Sequence, residues 1–339
     1  MTHGRGSWVL GVDSGGSGLR TALAHASSGE QAGTAESREP VRTGSGGIDA
    51  QHLLDQLLPM ARGLLEKAGG GTVSAVAIGA AGMATLGGRL RAELPGALAE
   101  SLGVRRLALA ADAITAYAGA LGQRPGAVVA AGTGMIAMGT DLSQWHRADG
   151  WGHLLGDSGG GAWIGRAGLE AALRAHDGRR GGSPALLARM TSVLGPAEEV
   201  PGMLYPRSDR PAVLASFAPE VGRCAADGDE VSTGILAVAA RHIAEAAAAV
   251  CPPAMGAPAA TGAPEECHVA LTGGLLKLGD PLLVPLRAEL ARQLPYARPV
   301  SAAGDPLTGA LSIAAALATD SLRLPLHPTL LHVPTELGG

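Results

Sequence analysis

The chain is predicted to fold as a duplicated α/β protein, and three observations support this prediction. Its 339 residues are enough for about two domains. Two β-hairpins, with strands at 8–12 and 19–24 and at 128–131 and 135–139, each open one half of the chain. Alternating helix and strand patterns follow both hairpins. A ligand-binding cleft is expected between the two halves.

In the first half, apolar periodicity and short buried runs define the elements after the hairpin. Leu53, Leu57 and Leu64 share one face of a helix. The predicted elements are a helix at 48–68, a strand at 72–79, a helix at 89–102, a strand at 106–110 and a helix at 113–121.

In the second half, the elements after the hairpin are mostly Ala-rich helices. They are predicted at 162–175, 184–194, 213–226, 231–250, 282–293 and 306–317, with one strand at 268–272. Residues 251–266 are of low complexity and are predicted to form a loop, and the proline-containing tail 325–339 is predicted to be extended.

Composition indicates the kind of core. The chain is 46% hydrophobic but only 2% aromatic, so its cores are expected to consist of Ala, Leu and Val packed through small residues. The 52 Gly and 22 Pro are spread along the chain, which predicts many turns and no single disordered tract.

Charge and segment types argue against several classes of partner. The net charge is −4, and basic residues cluster only in pairs, so neither nucleic acid nor a membrane is an expected partner. Neither a signal-peptide core nor an apolar run of about 20 residues is found. The three cysteines lack CxxC spacing, which is typical of a reduced cytoplasmic protein without a structural zinc or iron–sulfur site.

Three Gly-rich turns carry the chemistry. They lie at 12–18, 131–134 and 150–165. Asp13 directly follows the predicted strand at 8–12, and Asp112 lies two residues after the predicted strand at 106–110. Such turns let backbone N–H groups approach an anion or a sugar. The first turn leads into a strand, which argues against a Rossmann or Walker A loop. The set indicates phosphoryl transfer onto a small polar acceptor.

These motifs resemble those of the sugar kinase/actin/Hsp70 ATPase superfamily, and within it the N-acetylglucosamine kinase-like branch of the BadF/BadG/BcrA/BcrD ATPase family. The most specific stretch is Gly-Trp-Gly-His-Leu-Leu-Gly-Asp at 150–157, which resembles the amino-sugar kinase branch. Supporting motifs lie at 11–17, 111–113, 131–134, 272–274 and 308–311.

This resemblance implies an architecture and an activity. It implies two ribonuclease H-like (actin-like ATPase) lobes with an interlobe cleft, one formed by 1–115 plus about 306–339 and the other by 116–305. It implies an ATP-dependent, Mg²⁺-requiring kinase for the 6-hydroxyl of N-acetylglucosamine or glucosamine. A homodimer is a further expectation from the resemblance.

On the first lobe, the resemblance assigns roles that each have a structural alternative. Asp13 would hold Mg²⁺ through water, or it caps the turn. Gly15, Gly16 and Ser17 would bind the ATP phosphates, or they form a plain hairpin. Asp112 would be the general base that deprotonates the acceptor hydroxyl, or an ordinary helix N-cap.

On the second lobe, a second phosphate turn and an adenosine motif are assigned in the same way. Gly132, Thr133 and Gly134 would contact ATP, with Thr133 also reaching the sugar. Gly273 and Gly274 would let adenine or ribose lie against backbone. The alternative for both segments is a turn without a ligand.

The sugar side is assigned to the third Gly-rich turn. Gly150, Trp151, Gly152 and Asp157 would bind the acceptor, since sugar hydroxyls need acceptor oxygens and close backbone donors. Trp151 is expected either to form a wall of the sugar site or to pack in the core. Trp163 is expected in the core.

The chain departs from the family pattern at three places. The first motif, DGGGTKT in the family, lacks its Lys and leaves Arg20 as the nearest candidate cation. The GDEGS motif reads Gly-Asp-Ser-Gly-Gly at 156–160, so the carboxylate after Asp157 is missing. The loop at 43–48 lacks the usual Asn, for which Ser45 substitutes only in part. A free amino sugar such as glucosamine is therefore a second candidate acceptor.

Two other functions remain possible on sequence grounds. One is an ATPase that activates a partner enzyme, but such activators hold an iron–sulfur cluster through cysteines in a pattern that this chain lacks. The other is a non-catalytic sugar or nucleotide sensor, although related regulators carry an N-terminal DNA-binding segment that the few residues before position 8 cannot form.

Overall fold

The computed structural model describes residues 7–16, 18–44, 47–252 and 267–335. Ser17, Ser45 and most of the 251–266 loop lie outside these ranges. The chain divides into two compact units. Unit 1 comprises Met1–Pro125, Thr140–Trp145 and Ser301–Gly339, and unit 2 comprises Gly126–Gly139 and His146–Val300.

The strands are numbered in chain order. They are β1 (Ser7–Gly15), β2 (Gly18–His25), β3 (Gln31–Ser37), β4 (Thr43–Gly44), β5 (Gly47–Ile48), β6 (Thr72–Ala80), β7 (Arg106–Ala111), β8 (Gly126–Ala131), β9 (Met135–Thr140), β10 (Trp145–Asp149), β11 (Cys267–Thr272), β12 (Ala297–Ser301) and β13 (Leu331–His332).

The helices are numbered in the same way. They are α1 (Ala50–Lys67), α2 (Met83–Leu86), α3 (Gly88–Leu102), α4 (Asp112–Leu121), α5 (Gly161–His176), α6 (Pro184–Leu194), α7 (Val200–Leu204), α8 (Arg210–Ser216), α9 (Ala218–Ala226), α10 (Glu230–Val250), α11 (Asp280–Gln293) and α12 (Pro306–Ala318), with a 3₁₀ helix at Gly274–Leu278.

Five strands of each large sheet follow the same order. The unit 1 sheet has six strands in the order β3-β2-β1-β6-β7-β13, and the other sheet runs β10-β9-β8-β11-β12. The strands β3-β2-β1-β6-β7 thus correspond in order to β10-β9-β8-β11-β12. In the first sheet, β1 is antiparallel to β2 and parallel to β6. In the second, β8 is parallel to β11. The same central pattern of a meander joined to parallel strands therefore occurs twice, which confirms the predicted duplicated α/β fold.

Helices α4 and α12 pack closely together in unit 1, and α12 also packs on β1 and β6. Glycine permits the close approach of these two helices, because a Cβ at Gly309 would collide with the carbonyl oxygen of Thr115. A Cβ at Gly119 would likewise collide with the carbonyl oxygen of Asp305. The final long helix is thereby locked onto the helix that begins at Asp112.

The core of unit 2 is built as the composition predicts. It consists mainly of Ala, Leu and Val side chains from β8, α5, α10 and α11, and Phe217 is its one fully buried aromatic residue in the described part of the unit. Helix α10 is long and apolar enough to cross a membrane by length and composition. Because Leu236, Ala239, Ile243 and Ala247 are fully buried in that core, α10 is a core helix of unit 2.

One predicted helix differs from the structure, and strands occur where none was predicted. The helix predicted at 213–226 is two helices, α8 and α9, that meet at Phe217. Pro219 explains the break, since it lacks an N–H to continue the first helix but suits the first turn of the second. Strands β3 and β12 were not predicted, because both are polar edge strands without apolar alternation.

The cysteines also differ from expectation. Cys251, at the end of α10, is joined by a disulfide to Cys267, the first residue of β11. Cys224 is a buried thiol, and burial raises the pKa of that thiol. Sequence spacing could not report the pair, because only the fold brings the end of α10 beside the start of β11.

Candidate functional site

In unit 1, the carboxylates Asp13 and Asp112 lie at one edge of the sheet. Asp13 is near the carboxyl end of β1, and Asp112 follows the carboxyl end of β7. Strand β6 lies between them, with Gly79 aligned to Asp13 on one side and to Ala110 on the other. Two strand spacings separate the carboxylate positions, which is about 10 Å. The carboxyl edge of a parallel sheet is where α/β proteins bind ligands.

Asp112 is the first residue of α4 and is exposed. Its Oδ1 accepts a hydrogen bond of 2.9 Å from the N–H of Ala113. Its own carbonyl oxygen accepts a bond from the hydroxyl of Thr115. The helix begins at Asp112 itself, one residue before the predicted start, so the carboxylate sits in the first turn, where the helix dipole favours negative charge.

Gly15 and Gly16 of the first hairpin turn are uncovered. Neither Gly15 nor Gly16 has a neighbouring atom within 4 Å of where a Cβ would stand. The turn is closed by pairing of Gly15 with Gly18. Ser17 lies outside the described residues. The turn's backbone is therefore accessible to an anion, as a phosphate turn requires.

Asp13 is held at the base of this turn by an ion pair. It faces Arg20 across the β1–β2 ladder, and Arg20 Nη2 donates to Asp13 Oδ2 at 2.6 Å. Arg20 Nη1 also donates to Asp305 Oδ2 at 2.7 Å. Asp305 caps α12 by accepting a hydrogen bond from the N–H of Thr308. Arg20 thus links the candidate metal ligand to the N-terminus of α12.

Burial tends to raise the pKa of Asp305, but its hydrogen bonds outweigh that effect. The N–H and hydroxyl of Thr308, together with Arg20, hold the pKa of Asp305 below its ordinary value. Burial also tends to lower the pKa of Arg20, whereas Asp13 and Asp305 raise it overall. Asp305 and Arg20 are therefore both charged near neutral pH.

In unit 2, the second hairpin turn, residues 132–134, is tied by backbone to the start of α5. The N–H groups of Gly161 and Ala162 donate to the carbonyl oxygens of Gly132 and Thr133, each at 2.8 Å. A Cβ at Gly134 would overlap a carboxylate oxygen of Asp157. The structure therefore brings the turn, Asp157 and the N-terminus of α5 into direct contact.

The 150–157 loop returns on itself and ends at Asp157. Asp157 Oδ1 accepts a hydrogen bond of 2.9 Å from the N–H of Gly152. Burial raises the pKa of Asp157, and the charge of Asp149 adds to the increase, while the Gly152 N–H, His153 and Arg147 oppose it. The loop thus presents a half-buried carboxylate beside the second hairpin turn.

Trp151 is not a core residue. It is 66% exposed, and the guanidinium of Arg147 lies 4.4 Å from the centre of its ring. Leu154 and Leu155 in the same loop are also exposed. Trp163, in contrast, packs against the core of unit 2, as expected. Of the two alternatives for Trp151, the structure rules out burial in the core.

A cavity of about 310 Å³ is lined in part by Gly132 and Thr133 of the second hairpin turn. It joins that turn to Gly274, and Gly273 lies against the backbone of Ala131 so closely that a Cβ would collide. Its lining residues are Gly132, Thr133, Gly161, Ala212, Ala215, Ser216, Ala218, Pro219, Gly274, Leu275 and Leu278. Small and apolar walls of this kind suit a flat ring and a ribose.

Within each unit, the structure thus gathers the residues that the sequence singled out. Asp13 and Asp112 share one sheet edge in unit 1, and Gly132–Gly134, Gly150–Asp157 and Gly273–Gly274 adjoin one another in unit 2. Several neighbours were missed. The cavity walls in α8 and α9 have no chemical signature in sequence, and Asp149, Arg147 and Asp305 act through contacts that only the fold creates.

The comparisons with known proteins agree with this geometry. The model of the BadF/BadG/BcrA/BcrD ATPase family matches residues 10–314. The N-acetylmuramic acid/N-acetylglucosamine kinase of Clostridium acetobutylicum is 34% identical over 135 residues, which cover 39% of this chain and 44% of that protein. The chain thus matches less than half the length of this curated relative.

Solved structures extend the likeness over almost the whole chain. A crystal structure from Chromobacterium violaceum, assigned as an N-acetylglucosamine kinase, is 28% identical, covers 90% of this chain and 98% of its own, and superposes with a TM-score of 0.70. A structure with the same assignment from Porphyromonas gingivalis is 16% identical, covers 93% of this chain and 100% of its own, and has a TM-score of 0.63. The second structure supports the fold alone.

Proposed function

This chain belongs to the BadF/BadG/BcrA/BcrD ATPase family, and on that basis we propose that it is a cytoplasmic, ATP-dependent sugar kinase. The proposed reaction transfers the γ-phosphate of ATP to the 6-hydroxyl of an amino sugar, either N-acetylglucosamine or glucosamine. Asp112 is the proposed general base. The kinase names of the Clostridium and Chromobacterium relatives support the reaction class.

One observation carries the proposal. Gly132 and Thr133 of the second hairpin turn line the cavity that Gly274 also lines, and Gly134 of the same turn lies against the carboxylate of Asp157. A nucleotide with its base in the cavity would extend its phosphates toward this turn. A sugar held by Asp157 would then meet the phosphates at the same place. Phosphoryl transfer requires this juxtaposition, because catalysis depends chiefly on alignment and charge neutralisation.

The acceptor hydroxyl must lose a proton as the new P–O bond forms. In our proposal the carboxylate of Asp112 takes that proton, while the bond from the γ-phosphorus to the bridging oxygen breaks and ADP leaves with the electron pair. The exposure of Asp112 at the first turn of α4 supports this role. The hydrogen bond from Ala113 would steady the carboxylate in one orientation.

The chain suits a magnesium ion that is bound mainly through the substrate phosphates and water, with few protein ligands. Among the described residues, no group of three or more His, Cys, Asp and Glu side chains is placed to hold a metal. Mg²⁺ commonly binds one or two carboxylates together with substrate phosphates and water. Asp13, beside the open first turn, is the proposed carboxylate, and the ion would neutralise charge on the phosphates.

The acceptor is proposed from the 150–157 loop. Asp157 would accept hydrogen bonds from sugar hydroxyls, and the backbone of Gly150 and Gly152 would supply close donors. The exposed ring of Trp151 offers an apolar surface for a sugar face. Ser158 replaces the family's second carboxylate, so glucosamine stands beside N-acetylglucosamine as a candidate.

The experiment that tests this proposal measures ADP release with Mg²⁺ and ATP. The panel contains no sugar, glucose, glucosamine, N-acetylglucosamine and N-acetylmannosamine. We expect glucosamine or N-acetylglucosamine to stimulate ADP release strongly and to yield a sugar 6-phosphate by ³¹P NMR. The 6-deoxy form of the preferred sugar is the matched control and should give no product.

Two results would count against the proposal in different ways. ADP release that no sugar stimulates would contradict the amino-sugar kinase and favour an ATPase with another partner. Tight sugar binding by calorimetry without turnover would favour a sensor.

A further inference from the structure

Asp149 is the last residue of β10 and stands where the 150–157 loop leaves the sheet. Its φ is +61°, a left-handed conformation that non-glycine residues adopt at a cost. Its Oδ2 accepts a hydrogen bond of 3.0 Å from the N–H of Ser158, and its Oδ1 accepts another from the N–H of Asp157. A single side chain therefore ties the beginning of the loop to its end.

The tie acts on the residue whose carboxylate faces the second hairpin turn. Asp157 also has a left-handed backbone, with a φ of +54°. Such a conformation is unfavourable for a residue with a Cβ unless surrounding contacts hold it. The hydrogen bond from its N–H to Asp149 supplies such a contact and fixes the direction in which the Asp157 side chain leaves the chain.

Arg147, two residues before Asp149 in β10, supports Asp149. Its Nε donates to the carbonyl oxygen of Asp149 at 3.0 Å, and its Nη2 donates to the carbonyl oxygen of Gly150 at 2.6 Å. The same guanidinium lies over the ring of Trp151. Arg147 therefore holds the backbone of Asp149 and Gly150 in place.

We propose that Asp149 is a positioning residue for the acceptor sugar, acting through Asp157. This inference rests on the proposed function, in which Asp157 binds sugar hydroxyls. Asp149 uses both carboxylate oxygens on backbone N–H groups, so its contribution is to hold Asp157 in place.

The charge of Asp149 also affects the pKa of Asp157, which gives a second way to test the positioning role. Burial raises the pKa of Asp157, and the charge of Asp149 adds to that increase; His153, Arg147 and the N–H of Gly152 act in the opposite direction. Removal of the Asp149 charge therefore lowers the pKa of Asp157. The acid limb of the pH profile for the sugar kcat/KM should move to lower pH in a neutral variant.

The test compares three variants. Asp149→Gly keeps the left-handed backbone accessible but removes the carboxylate. Asp149→Asn keeps the shape but removes the charge and one of the two hydrogen-bond acceptors. Asp141→Asn is the matched control, because the Asp141 carboxylate likewise accepts N–H bonds from the residues that follow it, Ser143 and Gln144.

We expect Asp149→Gly to raise the KM for the sugar at least about tenfold, the effect of losing one charge-assisted hydrogen bond. The KM for ATP should change by less than about twofold. A general loss of folding would instead raise the KM values for both substrates. Asp149→Asn should shift the acid limb to lower pH. Hydrogen exchange at the amides of Asp157 and Ser158 should quicken in Asp149→Gly and stay unchanged in Asp141→Asn.

Failure of the inference and failure of the proposed function are distinguishable. Unchanged exchange at these two amides in Asp149→Gly would overturn the positioning role, whatever the activity. An equal rise in the KM values for sugar and ATP would overturn it as well, because the effect would then be general. A wild-type protein that no sugar stimulates would contradict the proposed function, and that result appears before any variant is made.

Discussion

The two hairpin turns occupy equivalent places in the two sheets but are supported by different forces. In the first turn, Gly15 and Gly16 are uncovered, and charges at the base of the turn hold it through Asp13, Arg20 and Asp305. The turn at 132–134 is held by backbone hydrogen bonds from α5 and is crowded by Asp157. One turn thus depends on ion pairs and the other on packing.

This difference predicts how each unit should respond to the loss of a charge and to added side-chain volume. In unit 1, removal of a charge should change binding or rate while the fold persists, because the groups are at least partly exposed. In unit 2, added volume at Gly134 should displace Asp157, because a Cβ there would overlap the Asp157 carboxylate. The predictions below test that contrast.

The largest effect is expected for Asp112→Asn in unit 1. The amide cannot take the acceptor proton, so kcat should fall about 10²–10⁴-fold, while the free energy of unfolding stays nearly unchanged because Asn also suits a helix start. Steady-state ADP release and urea unfolding would measure both quantities. Asp49→Asn, which alters the N-cap of α1 in the same unit, is the control and should keep wild-type kcat. Near wild-type turnover by Asp112→Asn would remove Asp112 from the mechanism.

In unit 2, Gly134→Ala should be damaging because its new Cβ would meet the Asp157 carboxylate, whose Cγ lies 3.0 Å from that position. We expect a loss of about 1–3 kcal/mol in the free energy of unfolding and a raised KM for the sugar. Gly132→Ala in the same turn has no atom within 4 Å of its Cβ and should unfold like the wild type in the absence of ligands. Equal stabilities for the two variants would argue against a packed turn.

The smallest effect is expected for Arg20→Gln. Partly exposed ion pairs contribute about 0.2–1 kcal/mol, so the KM for Mg·ATP should rise by no more than about fivefold. Arg106→Gln is the control: Arg106 is as exposed as Arg20, at 40%, and pairs with Asp320 instead of with Asp13 or Asp305. A rise of the same size in the control would show that the effect is not local to the turn.

The same variant has a distinct pH dependence. The folded pKa of Asp305 is below its ordinary value, so its contribution to stability is present above the unfolded pKa, about 3.9, and is lost as pH falls through the folded pKa. Arg20→Gln removes one cause of that lowering. Urea unfolding at pH 7 and pH 3.5 should therefore show a smaller loss of stability on acidification in the variant than in the wild type.

The parts of the site that depend on local pattern could be predicted from the sequence. A short Gly-rich turn between two apolar runs predicts a hairpin, and strand ends predict that Asp13 and Asp112 share an edge. The pairing of Asp13 with Arg20 was within reach too. In a hairpin closed by Gly15 and Gly18, positions 13 and 20 face each other across the ladder.

The parts that depend on distant contacts could not be predicted. Asp149 binds amides eight and nine positions along the chain, and no periodic pattern reports such a bond. Asp305 reaches Arg20 from the far end of the sequence. The cavity walls Ala212, Ala215 and Pro219 matter by their small volume, a property that they share with many residues of this Ala-rich chain.

The packing of α12 has a consequence for the order in which the protein is made. This helix covers β1 and α4, yet a ribosome synthesises it some 290 residues after β1. Until α12 has been synthesised, the first sheet of the nascent chain keeps one apolar face uncovered. Residues 146–300 of unit 2 are synthesised during that interval. The newborn chain is therefore expected to be most prone to aggregation and most attractive to chaperones just before its last long helix leaves the exit tunnel.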